Sequence, residues 1–164
     1  MRLRMELLRA LRASPRATLR ALHGYRDARL LASRWLQHHG LDEALVGIDA
    51  WSARQRWSTL ISPTLIMRVG EAWPRTSRTC LDRALARYAF LKASGASPRF
   101  VIGLDPSLDA HHQPDAIGHA WVEVGGEPWP HEEVAAYRVS YHHPADRSER
   151  VPPACPSPSR PEIQ

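Results

Sequence analysis

The sequence has almost no lysine, few cysteines and no long uninterrupted run of apolar residues. Lys92 is the only lysine among 164 residues, so the net charge of +5 comes almost entirely from arginine. A basic chain favours acidic partners, but arginines without interleaved aromatics or a recognisable reading helix do not indicate nucleic-acid binding. The missing apolar run argues against a membrane span, and the first residues do not resemble a secretory signal. We therefore expect a cytoplasmic protein without nucleic-acid or membrane partners.

The two cysteines occur in different surroundings. Cys80 opens a segment with apolar residues at helical spacing, whereas Cys155 lies in a stretch rich in proline and serine. Such unlike positions do not predict a disulfide, and a lone cysteine in a cytoplasmic protein is either catalytic or simply buried. Cys80 is therefore the candidate for chemistry, and Cys155 is interpreted as a tail thiol without a role.

Composition divides the chain into three parts. Residues 1–57 carry apolar residues at helical spacing with arginines on the other faces, and the pattern breaks near Pro15 and weakens after Gly40. From residue 142 the chain is proline, serine and charge with almost nothing apolar. We predict a helical N-terminal lobe (1–57), one compact core (58–141) and a disordered tail (142–164).

The core segment combines helical and strand patterns, which predicts an α+β fold. Thr79 and Asp82 flank Cys80 in the manner of a capping box, which marks the start of a helix. Gly125 and Gly126 suit the tight turn of a hairpin between two alternating segments. The expected elements are helices over 63–72 and 80–93 and strands over 98–104, 119–124 and 127–129.

Cys80 and His119 have the positions that a cysteine hydrolase requires. A thiol attacks a carbonyl as its anion, and the first turn of a helix favours an anion through unpaired N–H groups and the positive end of the dipole. His119 follows a glycine at the start of a predicted strand, from which an imidazole can face the thiol as its base. The alternative is structural, because a cysteine in a first helical turn is often only a small buried side chain.

Four segments in order carry a family resemblance, which covers about residues 58–137. They are LIMRVGEAWP (65–74), TCLDRALA (79–86), GASPRFVIG (95–103) and HAWVEVGG (119–126). Together they resemble the transglutaminase-like B proteins of lasso-peptide biosynthesis. The resemblance implies a papain-type cysteine peptidase core, in which Cys80 and His119 belong to a Cys-His-Asp triad that removes the leader from a ribosomal precursor peptide.

The same resemblance implies partners. The substrate would be the leader region of a precursor peptide, delivered by a separate leader-recognition protein, and an ATP-dependent lasso cyclase would then close the ring. No cofactor is implied.

The nine histidines do not predict a metal site. Six of them form the adjacent pairs His38-His39, His111-His112 and His142-His143. Adjacent side chains diverge on helices and strands, and none of the pairs shows H-x-x-x-H spacing with a third ligand.

The third member of the triad is open. The family's aspartate would fall about a dozen residues after His119, where this sequence has Pro130-His131-Glu132-Glu133. Glu132 could replace the aspartate, His131 could orient His119, or a water molecule could do so. We take Glu132 as the third member and His131 as the alternative. This group mainly holds the base in orientation, so a change there can lower the rate without abolishing the chemistry.

Trp121 and Trp73 are candidates for lining a substrate groove. Trp121 shares a strand face with His119, whereas Ala120 and Val122 are expected to face the core. Packing would explain Trp121 equally well, and it is the preferred explanation for Trp73. Two rival functions also stay open: a related amide hydrolase with another substrate, and a peptide-binding subunit of the same fold without catalysis, which the missing aspartate would explain.

Overall fold

The computed structural model describes residues 2–55, 61–72, 79–105, 118–130 and 133–144. Helices precede an antiparallel sheet along the chain, so the predicted α+β class is confirmed. Among the described residues, no helix is both long and apolar enough to cross a lipid bilayer. The elements are α1 (Arg2–Ala13), α2 (Pro15–Ser52), α3 (Pro63–Glu71), α4 (Cys80–Ala93), β1 (Pro98–Leu104), β2 (Gly118–Val124), β3 (Glu127–Trp129) and β4 (Arg138–His143).

Helix α2 is longer than the sequence pattern suggested. It begins at Pro15, as expected, and consists of two helical arms that meet in a kink at Gly40, whose φ of 73° and ψ of −179° are not helical. Beyond the bend Gly47 returns beneath the ring of Trp35, and a Cβ at Gly47 would collide with that ring. The two arms of α2 therefore pack against each other across the kink at Gly40.

Helix α4 lies at the centre of the molecule. Its residues 84–91 are all buried, and it packs against α2 on one side and against β1 and β2 on the other. One hydrophobic cluster joins Tyr25 and Ile48 of α2 to Leu85 of α4 and to Phe100 and Val122 of the sheet. The helical lobe and the core thus share their buried side chains, and the predicted boundary between residues 57 and 58 lies outside the described residues.

The sheet has the order β3-β2-β1-β4, with every neighbouring pair antiparallel. The predicted strands β1 and β2 and the hairpin to β3 are confirmed. Strand β4 was not predicted, and it pairs with the free edge of β1 as far as His143. The last strand therefore extends two residues into the segment assigned to a disordered tail, while residues 145–164 lie outside the described residues.

A polar cluster around Asp49 ties α2 to α4 and β4. Asp49 accepts hydrogen bonds from the hydroxyl of Tyr88 (2.7 Å) and from the ammonium group of Lys92, and Nε2 of His143 lies 3.1 Å from its other oxygen. Burial by itself raises the pKa of Asp49, but the hydrogen bonds from Lys92, Tyr88 and His143 outweigh it and lower the pKa below its ordinary value. The cluster thus stabilises the ionised carboxylate in the folded state.

We expect the stability difference between wild type and Asp49→Asn to shrink on acidification. A carboxyl group whose pKa is lowered by folding stabilises the protein above its unfolded pKa, and this contribution is lost as the pH falls through the folded pKa. The stabilising contribution of the Asp49 carboxylate should therefore disappear at pH values below about 4. Urea unfolding of both proteins between about pH 6 and about pH 3 measures it. Replacing the exposed Asp27 of the same helix by asparagine is the control and should leave the wild-type pH dependence intact; a constant difference for Asp49→Asn would contradict the expectation.

Candidate active site

Cys80 is the first residue of α4, and Thr79 caps the helix. The hydroxyl oxygen of Thr79 accepts the backbone N–H of Asp82 at 3.1 Å, and the same hydroxyl donates to the Asp82 carboxylate at 3.0 Å. The predicted capping box is thereby confirmed in its main hydrogen bond. The backbone N–H groups in the first turn of α4 have no carbonyl acceptor within the helix. Those beside Cys80 therefore point out of the N-terminal end of α4.

The thiol of Cys80 contacts the strand that carries His119. Its Sγ lies 3.9 Å from the carbonyl oxygen of Gly118, within the range of a weak S–H hydrogen bond. Gly118 immediately precedes His119 at the start of β2, and Cys80 is partly exposed. Folding thus brings the helix start and the strand start, which are 38 residues apart in sequence, into contact.

The imidazole of His119 lies among aromatic rings. Its centroid is 5.2 Å from that of Tyr137, with 29° between the planes, and 6.1 Å from that of Trp121, with 16° between the planes. The ring centroids of Tyr137 and Trp121 lie 6.4 Å apart. The three rings form an aromatic cluster on one face of the sheet, which we call the His119 cluster.

The two faces of β2 divide as the alternation predicted. Ala120 and Val122 belong to the hydrophobic cluster that packs on α4, and His119 and Trp121 lie on the other face. Trp121 is only 2% exposed, and its Nε1 donates to the carboxylate of Glu123 at 3.1 Å. Of the two roles considered for Trp121, this burial favours packing.

A buried ion pair joins α3 to α4 close to the site. Glu71 receives two hydrogen bonds from Arg87, at 2.7 Å and 3.1 Å, and a third from the hydroxyl of Tyr25 at 3.0 Å. Arg87 lies seven residues after Cys80, which places both on one side of α4. Burial and the neighbouring Glu71 carboxylate raise the pKa of Tyr25, so its hydroxyl stays a donor. The end of α3, from which the chain leads to Cys80, is held to α4 by this contact.

Several of the predicted site residues lie outside the part of the chain that the structure describes. Glu132, His131 and Trp73 lie outside the described residues, as does Cys155. The identity of the third member of the triad and the role of Trp73 therefore stay predictions. Within the described ranges, no group of three histidines, cysteines or carboxylates is arranged to hold a metal ion.

A surface groove of about 410 Å³ lies along α2, away from Cys80. Leu30, Arg34 and Trp35 line one side of it and Trp51 contributes from the second arm of the helix. Its lining residues all belong to α2, so it does not include the thiol or the His119 cluster.

Sequence reasoning did not single out Tyr137 or Gly103. Gly103 pairs directly with His119 across β1 and β2, and Tyr137 precedes β4, the strand that was not predicted. The available signal was a glycine inside a mainly apolar strand, which often marks a close approach by another part of the chain.

Comparison with known proteins supports the fold of the second half of the chain. Residues 63–142 match the family model described as the transglutaminase-like superfamily. This range contains α3, α4 and most of the sheet, including Cys80 and His119. Comparison with curated proteins and with solved structures gives no match.

Proposed function

We propose, from the transglutaminase-like match and the contact of Cys80 with the strand that carries His119, that this chain is a cysteine peptidase. Its substrate is the leader region of a ribosomal precursor peptide in lasso-peptide maturation. The single observation that supports this most directly is the position of Cys80 Sγ, 3.9 Å from the carbonyl of Gly118 and thus one residue from His119.

In the proposed mechanism the proton of the Cys80 thiol passes to His119. The Gly118 carbonyl can accept a hydrogen bond from the thiol but cannot take its proton, so ionisation needs a base, and in this proposal the imidazole of the next residue, His119, supplies it. The thiolate attacks the carbonyl carbon at the junction of leader and core. The carbonyl oxygen becomes an oxyanion, which the backbone N–H of Cys80 at the helix start can stabilise.

Collapse of this intermediate breaks the C–N bond. The imidazolium of His119 gives its proton to the leaving amine, and the acyl group stays on Cys80 as a thioester. Water then attacks the thioester carbonyl while His119 accepts the water's proton, and the thiol is restored as the new carboxyl end is released. Glu132, or alternatively His131, would hold the imidazole in orientation during both halves of the reaction.

The proposed partners follow the same assignment. A leader-recognition protein would deliver the precursor, and a lasso cyclase would act on the released core. The many arginines of α1 and α2 suit an acidic segment of such a partner.

We expect the protein to cut its precursor at one bond when the leader-recognition protein is present. The proposal predicts a short precursor gene and an asparagine-synthetase-like cyclase gene beside the gene for this chain, and the product of the short gene is the substrate to test. Mass spectrometry of the mixture identifies the bond, and a precursor with a scrambled leader is the control.

A precursor that is bound but left intact would favour the second candidate, a peptide-binding subunit without catalysis. Cleavage of unrelated peptides at a higher rate than the precursor would favour an amide hydrolase with another substrate. Both results would contradict the assignment as a leader peptidase of lasso-peptide maturation, and only the first would contradict catalysis.

A further inference from the structure

Gly103 lies directly opposite His119, and because it has no side chain, neighbouring side chains can occupy the position of its missing Cβ. The two residues are paired across β1 and β2, so their side-chain positions lie on the same face of the sheet. A Cβ at Gly103 would come within 2.7 Å of Cβ of Tyr137 and 2.8 Å of Cη2 of Trp121. Real Cβ atoms do not approach this closely, so both aromatic side chains occupy the space that only glycine leaves free.

Tyr137 reaches this space from the turn before β4. Its N–H donates to the carbonyl of Val134 at 3.0 Å, which fixes the turn. The register between β1 and β4 shifts between Ile102 and Gly103, which pair with Tyr141 and Val139, just after the chain from Tyr137 enters the sheet. The ring of Tyr137 then lies against the imidazole of His119 at 5.2 Å.

We propose that Tyr137 is a positioning residue that sets the ring plane of His119, and that Gly103 is the residue that makes room for it. This inference rests on the proposed function of His119 as the base. The torsion that rotates a histidine ring has broad wells, so neighbouring groups must fix the plane of the ring. A hydrogen-bond acceptor selects which nitrogen carries the proton, whereas a stacked ring fixes the plane in which both nitrogens lie.

The electrostatics of the stack also favour the proposed cycle. His119 carries a positive charge after it has taken the thiol proton, and the face of an aromatic ring attracts a cation. Tyr137 therefore supports the ion pair that precedes attack on the peptide.

The test compares three variants of the full-length protein in precursor cleavage. Tyr137→Leu removes the ring and should lower kcat by about tenfold to a hundredfold with KM unchanged, because a small misplacement of a catalytic group has effects of this size. Tyr137→Phe keeps the ring face and should restore kcat. Gly103→Ala keeps the tyrosine but displaces it, and should reproduce the loss.

Tyr141→Leu is the matched control. Tyr141 lies on β4 and packs against Phe100 on the core face, with its hydroxyl bonded to Asp42 at 2.7 Å. Its loss should lower stability and leave kcat of the folded protein unchanged. A second readout is independent of activity: the ring-proton NMR signals of His119 should move in Tyr137→Leu and not in Tyr141→Leu.

Unchanged His119 signals in Tyr137→Leu would overturn the stacking, and a wild-type kcat in an active Tyr137→Leu protein would overturn the positioning role. A failure of the proposed function looks different, because wild type itself would then leave the precursor intact while the NMR comparison still decides the stack.

Discussion

Replacing Cys80 by alanine is expected to lower the rate of precursor cleavage by about 10³-fold or more, since no other group would form the acyl intermediate. Alanine removes the sulfur atom and leaves the helix start intact, because the cap depends on Thr79 and Asp82. The initial rate with the leader-recognition protein present, followed by mass spectrometry, measures the loss. A circular dichroism spectrum that matches wild type shows that the fold is retained.

His119→Ala tests the other half of the pair. General acid and base catalysis contributes about 10²-fold to 10⁴-fold to such reactions, so a loss in this range is expected. The variant should also slow the alkylation of Cys80 by iodoacetamide at neutral pH, because the proton acceptor of the thiol is missing. Tyr141→Leu again serves as the control for a sheet residue outside the His119 cluster.

Cys155→Ser separates the two thiols. This variant should cleave the precursor at the wild-type rate, and iodoacetamide should still alkylate Cys80. If instead Cys80→Ala cleaves normally, Cys80 is not the nucleophile and the cysteine-peptidase assignment is wrong. If labelling by iodoacetamide is confined to Cys155 while Cys80 is inert at neutral pH, the assignment is also wrong, and the binding subunit becomes the better interpretation.

The parts of the fold that were predictable depend on local signals. The cap of α4 is formed by Thr79 and Asp82, which are three residues apart, and the alternation after His119 separates the two faces of β2 within a single strand. Local hydrogen bonds and side-chain alternation are properties that a short stretch of sequence contains in full. The position of Cys80 at a helix start was predictable for the same reason.

The parts that were missed depend on contacts between distant residues. Strand β4 has exposed and half-buried side chains without a clear pattern, and it is held by the edge of β1 and by bonds from His143 to Asp49 and from Tyr141 to Asp42. The partners in these bonds are 94 and 99 residues apart in sequence. The stack of Tyr137 on His119 depends on that strand, so it could not be predicted without it.

The ion pair between Glu71 and Arg87 is expected to dominate the stability of the region around the site. The Arg87 side chain is 7% exposed and the Glu71 side chain 23%, so the loss of one partner removes the opposite charge from a largely buried group. Glu71→Gln and Arg87→Met should each lower the free energy of unfolding by about 3–5 kcal/mol. This is a large share of the roughly 5–15 kcal/mol that stabilises a typical domain. Arg83→Met, at an exposed arginine on the same helix, is the matched control and should change stability by less than about 0.5 kcal/mol.

The double variant Glu71→Gln/Arg87→Met decides whether the pair acts as a unit. Both buried charges are then absent, so the total loss should be clearly smaller than the sum of the two single losses, with a coupling energy of about 0.5–3 kcal/mol. Urea unfolding of the four proteins gives this cycle directly. Additive losses would mean that Glu71 is stabilised mainly by the hydroxyl of Tyr25, and Tyr25→Phe would then destabilise as strongly as Arg87→Met. Coupled losses would mean that the end of α3 is held to α4 by an ion pair that lies two turns along the helix from the nucleophile.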